Sequence, residues 1–293
     1  MSAKLRGMVR HVSGDHQFPA PEQIDRFPRT ALTIAGSDSG GGAGIQADLK
    51  TFLTCHVHGM SAITAVTVQN SLGVSGFYEL PPTAVAEQIE SVATDIGVDA
   101  AKTGMLASAK IIEAVAEVLR RLQIGPLVVD PVAASQHGDA LLRADALEAL
   151  RDRILPLADL VTPNIGEIRL LTGIEVRSDS AAREAAHALF ELGPRNVLVK
   201  GGHRDGAAAI DLLFDGTTFT QYSAGRRATD HTHGTGDTLA AATCAGLARG
   251  LAMPAAVRAG KEFVTGGIDG SFALGSGLGP VGHFWRVKDL DEI

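Results

Sequence analysis

A glycine-rich segment in the last quarter of the chain carries residues well suited to chemistry. The stretch from His231 to Gly250 reads HTHGTGDTLAAATCAGLARG and turns from polar and glycine residues into an apolar helix within four positions. The first N–H groups of a helix lack intrahelical partners and lie at the positive end of the helix dipole, so they suit an anion. Asp237 follows Gly-Thr-Gly directly. This acid is therefore either a helix cap or the neighbour of a bound phosphate.

A second glycine-rich segment, GSDSGGGAGIQADLKT at 36–51, overlaps the end of the apolar stretch ALTIAGS at 31–37. Its glycines let the backbone approach a ligand closely, although their spacing fits neither the dinucleotide-binding pattern nor the P-loop. Asp48 lies in the first turn of the helix that we expect after these glycines, where the helix dipole alone favours an acid. Taken by itself, Asp48 is as consistent with helix stabilisation as with a ligand contact.

Two further side chains suit a flat heteroaromatic ligand. Gln69 lies near the end of an apolar stretch, and its amide offers both a donor and an acceptor to the edge of a ring. Met105, within the stretch KTGML, can pack on the face of a ring. Each residue alone is equally consistent with a structural role, as a turn amide and a core methionine respectively.

Charged and amide residues follow three later apolar stretches. Asp130 comes directly after PLVV. Asn164 and Glu167 have the spacing of a helix capping box, and a carboxylate at such a position can also hold Mg²⁺ through water. Lys200 ends the stretch NVLVK, where a buried lysine needs an anionic partner, and a phosphate would serve.

Alternating strand and helix patterns must position these residues. Short, nearly continuous apolar stretches are typical of buried parallel strands and occur at 31–37, 61–70, 126–132, 159–164 and 196–202. Helical spacing occurs between or beside them, at 84–96, 109–123, 145–158 and 180–193. Gly193 is the expected C-cap of the last helix. Residues 210–223, turned by Asp215-Gly216, predict an antiparallel hairpin at the edge of the sheet. The predicted fold class is α/β, an open, doubly wound, mostly parallel sheet.

In a sheet of this kind, ligands bind at the carboxyl ends of the strands, so the polar residues that follow successive strands meet at one edge. Glycine-rich backbone, an amide, two carboxylates, a lysine and a helix start with an acid together suit phosphoryl transfer from a nucleotide. The chain has no Walker A sequence and neither the glycine loop nor the HRD motif of protein kinases. Both of those kinase types are therefore excluded.

Length and composition set the broad class. We expect one domain over residues 30–293, after a polar, proline-containing and mobile extension at 1–29. The net charge of −7 argues against a nucleic-acid partner, and no apolar run is long enough to span a membrane. Two cysteines offer no disulfide framework, which favours a reducing cytoplasm, and Cys244 is an expected core residue. The loop histidines match no zinc spacing and are expected to be solvated, namely His203, His231 and His233.

With these motifs in hand, the chain from Ala31 to about Trp285 resembles the hydroxymethylpyrimidine and phosphomethylpyrimidine kinases of thiamin biosynthesis. The resemblance is carried by AGSDSGGGAGIQADLKT, TAVTVQN, AKTGMLAS, VVDPV, TPNIGE, VLVKGGH and HGTGDTLAAA, in that order, and by a terminal GLGPVGHF. It implies a ribokinase-like, three-layer α/β/α fold and a homodimer. It also implies that ATP and Mg²⁺ are used to phosphorylate 4-amino-5-hydroxymethyl-2-methylpyrimidine and then its monophosphate.

The resemblance also implies roles for individual residues. The pyrimidine contacts would be Ala43, Asp48, Gln69 and Met105. The residues for ATP phosphates and Mg²⁺ would be Asn164, Glu167 and Lys200, with Asp130 near the metal and Lys261 near the nucleotide. Gly234, Thr235 and Gly236 would form an anion hole, with Asp237 as the catalytic base. A requirement for a monovalent cation stays open.

One position departs from the family pattern. Many of these kinases carry a cysteine after Gly-Thr-Gly, whereas this chain has Asp237, as ribokinase-like sugar kinases and many pyridoxal kinases do. A carboxylate within reach of a hydroxyl is an ordinary general base. A pyridoxal or pyridoxine kinase is therefore the alternative function, and a non-catalytic pyrimidine or nucleotide sensor is the second alternative.

Overall fold

The computed structural model describes residues 9–11, 28–133, 144–201 and 208–287. Within these ranges, ten strands form one sheet. In chain order they are β1 (Val9–His11), β2 (Thr30–Ser37), β3 (His58–Asn70), β4 (Gly73–Glu79), β5 (Ala100–Thr103), β6 (Leu127–Val129), β7 (Leu160–Val161), β8 (Val197–Val199), β9 (Ala208–Phe214) and β10 (Phe219–Gly225). The α-helices of the same ranges are α1 (Gly44–Thr54), α2 (Pro82–Asp95), α3 (Ala109–Arg121), α4 (Ala144–Ala149), α5 (Ile165–Thr172), α6 (Asp179–Phe190), α7 (Thr235–Ala248) and α8 (Met253–Asp269).

The order of the strands explains where a ligand site forms. The sheet runs β1-β10-β9-β8-β7-β6-β5-β2-β3-β4, and every pairing from β8 to β3 is parallel. The chain starts the parallel part at β2, continues to β3 on one side, and then builds β5 to β8 on the other. Because the order reverses beside β2, the carboxyl ends of β2 and its neighbours leave a crevice, which is where open α/β sheets bind ligands.

The five strands predicted from apolar stretches are confirmed as β2, β3, β6, β7 and β8, and the predicted hairpin is β9 and β10. At its turn, Gly216 has a φ of 90° and the Asp215 carboxylate accepts the N–H groups of the next residues, Thr217 and Thr218. The strands β1, β4 and β5 were not predicted. β5 is only four residues long and contains a lysine, and β4 contains two glycines and is largely exposed, so neither shows an apolar strand pattern.

Two apolar layers sandwich the sheet, which confirms the three-layer α/β/α class. One layer packs helices α2 to α6 against one face of the sheet, and the other packs α1, α7 and α8 against the opposite face. Alternate residues of a strand serve the two layers: in β6, Leu127 and Val129 belong to the first and Val128 to the second. This is why the strand is apolar throughout.

Two local predictions are wrong in detail. The helix expected over 145–158 is α4 followed by a wide π turn at Leu150–Ile154 and a 3₁₀ turn at Leu155–Leu157. Pro156 removes a backbone donor there, so a regular helix cannot continue. Gly193 is not the C-cap of α6, because that helix ends at Phe190 and Glu191 is the cap. Gly193 instead has a φ of 108° and lies against Pro156.

Within the extension expected at 1–29, only β1 and the two residues before Thr30 are described, and β1 pairs in parallel with β10. The rest of that extension lies outside the described residues. Among the residues that the structure describes, none of the helices is both long enough and apolar enough to cross a membrane.

The contact between α7 and α8 depends on small residues. A Cβ atom on Gly260 of α8 would collide with the Thr243 hydroxyl of α7 and lie 3.1 Å from the Leu239 carbonyl oxygen. That hydroxyl donates a hydrogen bond of 2.8 Å to the same carbonyl. The helices therefore need a residue without a side chain at this crossing.

We expect Gly260→Val to lower the free energy of unfolding by about 1–3 kcal/mol, the usual cost of overpacking a core. Urea unfolding monitored by circular dichroism measures it. The matched control is Gly76→Val in β4, where no atom lies within 4 Å of the added Cβ and the change should be neutral or slightly stabilising. Equal effects at the two positions would contradict the close α7–α8 packing.

Candidate active site

A cavity of about 770 Å³ opens at the carboxyl ends of the parallel strands. It is lined by every predicted site residue except Asp48. These residues are Ala43, Gln69, Met105, Asp130, Asn164, Glu167, Lys200, Gly234, Thr235, Gly236, Asp237 and Lys261. They come from both glycine-rich segments, from the ends of β3, β5, β6, β7 and β8, and from α8. The convergence expected from the doubly wound topology is therefore present.

Asp237 lies in the first turn of α7, but no side-chain cap forms at this helix start. The N-cap is Gly234, in the left-handed conformation with a φ of 80°, and it has no side chain to cap with. The Asp237 carboxylate instead lies 3.1 Å from Nζ of Lys102, and the backbone N–H of Gly44 at the start of α1 is near enough to lower its pKa. The acid thus faces a neighbouring helix and a lysine, and its side chain is 17% exposed.

Lys102 is the central residue that the sequence reasoning missed. It lies in β5 with its side chain fully buried, and its Nζ is 2.8 Å from both carboxylate oxygens of Asp48. Asp48 also accepts a 2.6 Å hydrogen bond from Thr33. The stretch AKTGMLAS could have indicated this role, because its apolar neighbours predict that the lysine is buried, and a buried lysine needs acidic partners.

The position of Asp48 differs from the expected substrate contact. Its side chain is fully buried and does not line the cavity. Lys102 connects it to the cavity, because this lysine contacts both Asp48 and Asp237. Asp48 in α1 points toward the sheet, where the buried lysine needs a counter-charge.

The electrostatics of this cluster keep Asp237 ionised. Burial alone would lower the pKa of Lys102, but the carboxylates of Asp48 and Asp237 raise it above its ordinary value. Burial raises the pKa of Asp48, and the nearby lysine offsets only part of this effect. Burial also opposes the charge of Asp237, yet Lys102 and the Gly44 N–H lower the pKa of Asp237 below its ordinary value.

A second lysine cluster lies on the other side of the first turn of α7. Nζ of Lys200 is 2.8 Å from Asp130 and 4.0 Å from Glu167. A Cβ atom on Gly236 would lie 3.3 Å from this Nζ and 3.4 Å from Asp130. Lys200 was expected to need an anionic partner, and within the chain that partner is Asp130. Both groups also line the cavity, next to the helix start.

Both predicted roles of Asn164 and Glu167, helix capping and Mg²⁺ binding, are consistent with the geometry. The capping box is present: the Asn164 side chain accepts the Glu167 N–H at 3.0 Å, and Glu167 accepts the Asn164 N–H at 2.7 Å. Glu167 also lines the cavity beside Lys200. Burial raises the pKa of Glu167 above its ordinary value, which a bound cation would counteract.

Lys261 also has an acidic partner that the sequence reasoning did not name. Nζ of Lys261 in α8 lies 2.8 Å from Asp211 of β9, and Asp211 accepts the N–H of Gly201 at 3.0 Å. Lys261 and Asp211 both line the cavity. The signal was present in the stretch IDLLF, since an acid within an apolar strand needs a partner when it is buried.

The histidines behave differently from the solvated loop residues that we expected. His233 lines the cavity, is 13% exposed and contacts both Asp38 and Gln69. Nδ1 of His231 accepts the N–H of Gly279, and His203 lies outside the described residues. Within the described part of the chain, no group of three or more histidine, cysteine, aspartate or glutamate residues is arranged to hold a metal. Cys244 is fully buried in the core, as predicted.

The family model described as phosphomethylpyrimidine kinase matches residues 38–282, which include all of the lining residues named above. The chain belongs to this kinase family. A hydroxymethylpyrimidine/phosphomethylpyrimidine kinase of Streptomyces coelicolor is 56% identical over 262 residues, covering 89% of this chain and 97% of that protein. The protein of the same name from Mycobacterium leprae is 54% identical over 275 residues, covering 92% of this chain and 98% of the relative.

Solved structures share the ribokinase-like fold of this kinase. The pyridoxal kinase of Bacillus subtilis in an ADP complex has a TM-score of 0.83 at 37% identity, covering 90% of this chain and all of that one. The Staphylococcus aureus pyridoxal kinase with AMP-PCP and pyridoxal has a TM-score of 0.82 at 37% identity, covering 89% and 96%. The phosphomethylpyrimidine kinase of Clostridium difficile has a TM-score of 0.72 at 42% identity, covering 80% and 97%.

We expect Lys102→Met to lower the free energy of unfolding by about 3–5 kcal/mol, because it leaves the buried Asp48 without a counter-charge. Combining it with Asp48→Asn removes that charge as well. The double variant should therefore lose clearly less than the sum of the two single variants in urea unfolding. Strictly additive losses would show that the two side chains do not interact as the 2.8 Å contacts indicate.

Proposed function

We propose that this chain transfers the γ-phosphoryl group of ATP to the hydroxymethyl group of 4-amino-5-hydroxymethyl-2-methylpyrimidine, and then to the monophosphate so formed. The observation that carries the proposal is that Asp237, at the glycine-backed start of α7, shares one cavity with Gln69. The cavity is thus surrounded by a proton acceptor, a set of backbone donors and an amide that can bind a ring edge. Relatives with this activity in their names cover nearly the whole chain at 54–56% identity.

Asp237 acts as the general base in this mechanism. Its carboxylate is ionised at neutral pH because its pKa is below the ordinary value, and Lys102 fixes its position. It accepts the proton of the substrate hydroxyl while the hydroxyl oxygen attacks the γ-phosphorus. The bond from phosphorus to the leaving oxygen of ADP breaks as the new bond forms, and the proton stays on Asp237 until product leaves.

The start of α7 stabilises the charge that develops on the transferred group. The N–H groups of Gly234, Gly236 and Asp237 stand at the positive end of the helix dipole and at the edge of the cavity, whereas the Thr235 N–H is donated to the Thr232 carbonyl at 3.2 Å. Gly234 must be glycine here, because its φ is 80° and a Cβ atom would collide with the carbonyl oxygen of Gly42. The close contact between these two glycines holds the helix start against the loop after β2.

The lysine clusters fit a nucleotide bound with Mg²⁺. Lys200 and Lys261 bring positive charge to the part of the cavity that Asp130 and Glu167 also line. One or two carboxylates with water and phosphate oxygens are the usual ligands of Mg²⁺, so Asp130 and Glu167 fit this ion without a protein-only cage. Bound there, Mg²⁺ would neutralise charge on the phosphates. Lys200 and Lys261 would orient the phosphate chain toward α7.

The other end of the cavity suits a flat ring. Gln69 offers an amide, and Met105 is 7% exposed and lines the wall. Gly36 makes room for this methionine, since a Cβ there would lie 2.5 Å from Met105 Cε.

A pyridoxal kinase is the second candidate, favoured by the aspartate after Gly-Thr-Gly and by the similarity to pyridoxal kinase structures. A panel of the free pyrimidine, its monophosphate and pyridoxal, assayed for ADP release, separates the two functions and also tests for a non-catalytic sensor.

Asp237→Asn should reduce kcat for the free pyrimidine by about 10²-fold or more, the scale of a lost general base. ATP binding should persist, because Lys200 and Lys261 are unchanged. A coupled assay for ADP release gives kcat, and calorimetry gives ATP affinity. Asp230→Asn, an exposed acid in the preceding loop, is the matched control and should leave both unchanged.

The second phosphorylation provides an internal comparison for the same variant. Its nucleophile is a phosphate oxygen that is already anionic at neutral pH, so it needs no base. Asp237→Asn should therefore impair the second step less than the first. Equal losses in the two steps, or full turnover with ATP bound, would count against Asp237 as the base.

A further inference from the structure

Asp38, in the loop after β2, is held as an anion by backbone donors. It is 2% exposed and accepts the N–H groups of three loop residues, Gly40 at 2.8 Å, Gly42 at 2.9 Å and Ala43 at 2.8 Å. Burial opposes the charge, yet hydrogen bonds from His233 and from the loop lower the pKa of Asp38 below its ordinary value. An ionised carboxylate can only accept hydrogen bonds.

This constraint determines where His233 carries a hydrogen. Nε2 of His233 lies 3.0 Å from Oδ2 of Asp38, so Nε2 must be the donor. The ring is tightly packed, because a Cβ on Gly42 would lie 2.5 Å from its Cδ2. Its backbone is also fixed: the N–H donates to Gly279 at 3.2 Å, and the carbonyl accepts from Val281 at 3.1 Å.

The same hydrogen orients the Gln69 side chain. As built, the Gln69 amide nitrogen lies 3.3 Å from Nε2 of His233. The oxygen and nitrogen of an amide have nearly the same shape, so hydrogen-bond chemistry decides which one faces a given neighbour. Two N–H groups cannot bond to each other, so we assign the amide oxygen to the position that faces His233, where it shares the single Nε2 hydrogen with Asp38 as the more distant of two acceptors. The two N–H groups of Gln69 then take the other position, on a side chain that lines the cavity.

We propose that Asp38 and His233 are positioning residues that fix the orientation of the Gln69 amide and thereby the hydrogen-bond pattern that the cavity accepts. This inference rests on the proposed function and names the specificity device of that site. The oriented amide offers an oxygen acceptor next to a nitrogen donor. It complements a ring edge that has an amino group beside an unprotonated ring nitrogen, which is the edge of a 4-aminopyrimidine.

The 4-oxo analogue of the substrate presents the reverse pattern. Its ring nitrogen carries a hydrogen and its oxygen only accepts, so both contacts with the oriented amide fail. Without His233, the amide can turn over and meet either pattern. His233 therefore contributes to discrimination between the two rings rather than to turnover. A ligand with a ring hydroxyl can both donate and accept at that position, so its binding depends less on the amide orientation.

Calorimetry on the full chain without ATP tests this inference, with 4-amino- and 4-oxo-5-hydroxymethyl-2-methylpyrimidine as the two ligands. The parent chain should prefer the amino compound. His233→Leu removes the donor at similar volume and should reduce that preference by about tenfold, the effect of one misdirected hydrogen bond. His233→Gln keeps an N–H donor and should retain most of the preference. His58→Leu, at the exposed start of β3, is the matched control and should retain all of it.

Thermal unfolding and ATP affinity are measured for each variant, and neither should follow the loss of preference for the amino compound. If His233→Leu does not fold, His233→Asn replaces it, since its shorter amide cannot reach both partners, and the same loss is expected. Full retention of the preference by a folded variant without the donor overturns the inference. A parent chain that phosphorylates neither pyrimidine contradicts the proposed function instead, so the two failures are distinguishable.

Discussion

The ammonium group of Lys102 lies fully buried in β5, between the carboxylates of Asp48 and Asp237. A buried ion costs several kcal/mol unless opposite charges surround it, so this lysine requires both acids to stay close. Asp48 belongs to α1 and Asp237 to α7, and both helices pack on the same face of the sheet. The charge cluster therefore joins the starts of two helices to a central strand, and the cavity forms at this junction.

The same arrangement gives Asp237 two properties that a catalytic base needs. It is ionised, because the charge and hydrogen bond of Lys102, together with the smaller effects of the Gly44 N–H and Lys200, outweigh the effect of burial, and its direction is fixed by the contact with Lys102. The second cluster, Lys200 with Asp130, lies on the other side of the same helix turn. The start of α7 is thus flanked by the carboxylate that we propose as the base and by the charges that we propose hold the phosphates. The His233 contacts add a third feature, which we propose orients the amide of Gln69.

The sequence allowed the location of the site to be predicted because strand ends in a doubly wound sheet converge by topology. Gln69 and Asp237 lie far apart in the chain, yet both could be assigned to one edge. What could not be predicted is which charges pair with one another. Lys102 and Asp48 both lie in stretches that the sequence pattern singles out, but their pairing depends on how α1 packs on the sheet, which local patterns do not encode. His233 was misjudged for the same reason, since its partner Asp38 is 195 residues away.

The pH dependence of the first phosphorylation tests the role of Lys102 most directly. The measurement is kcat/KM for the free pyrimidine at saturating ATP, in the parent chain and in the folded double variant Lys102→Met with Asp48→Asn. Activity needs ionised Asp237, so it falls as pH drops through the pKa of that group. Lys102 contacts Asp237 directly whereas Asp48 does not, so the loss of the lysine outweighs the loss of the second acid, the pKa of Asp237 rises, and the acid limb should move to higher pH. An acid limb at the same pH in both proteins would contradict the account.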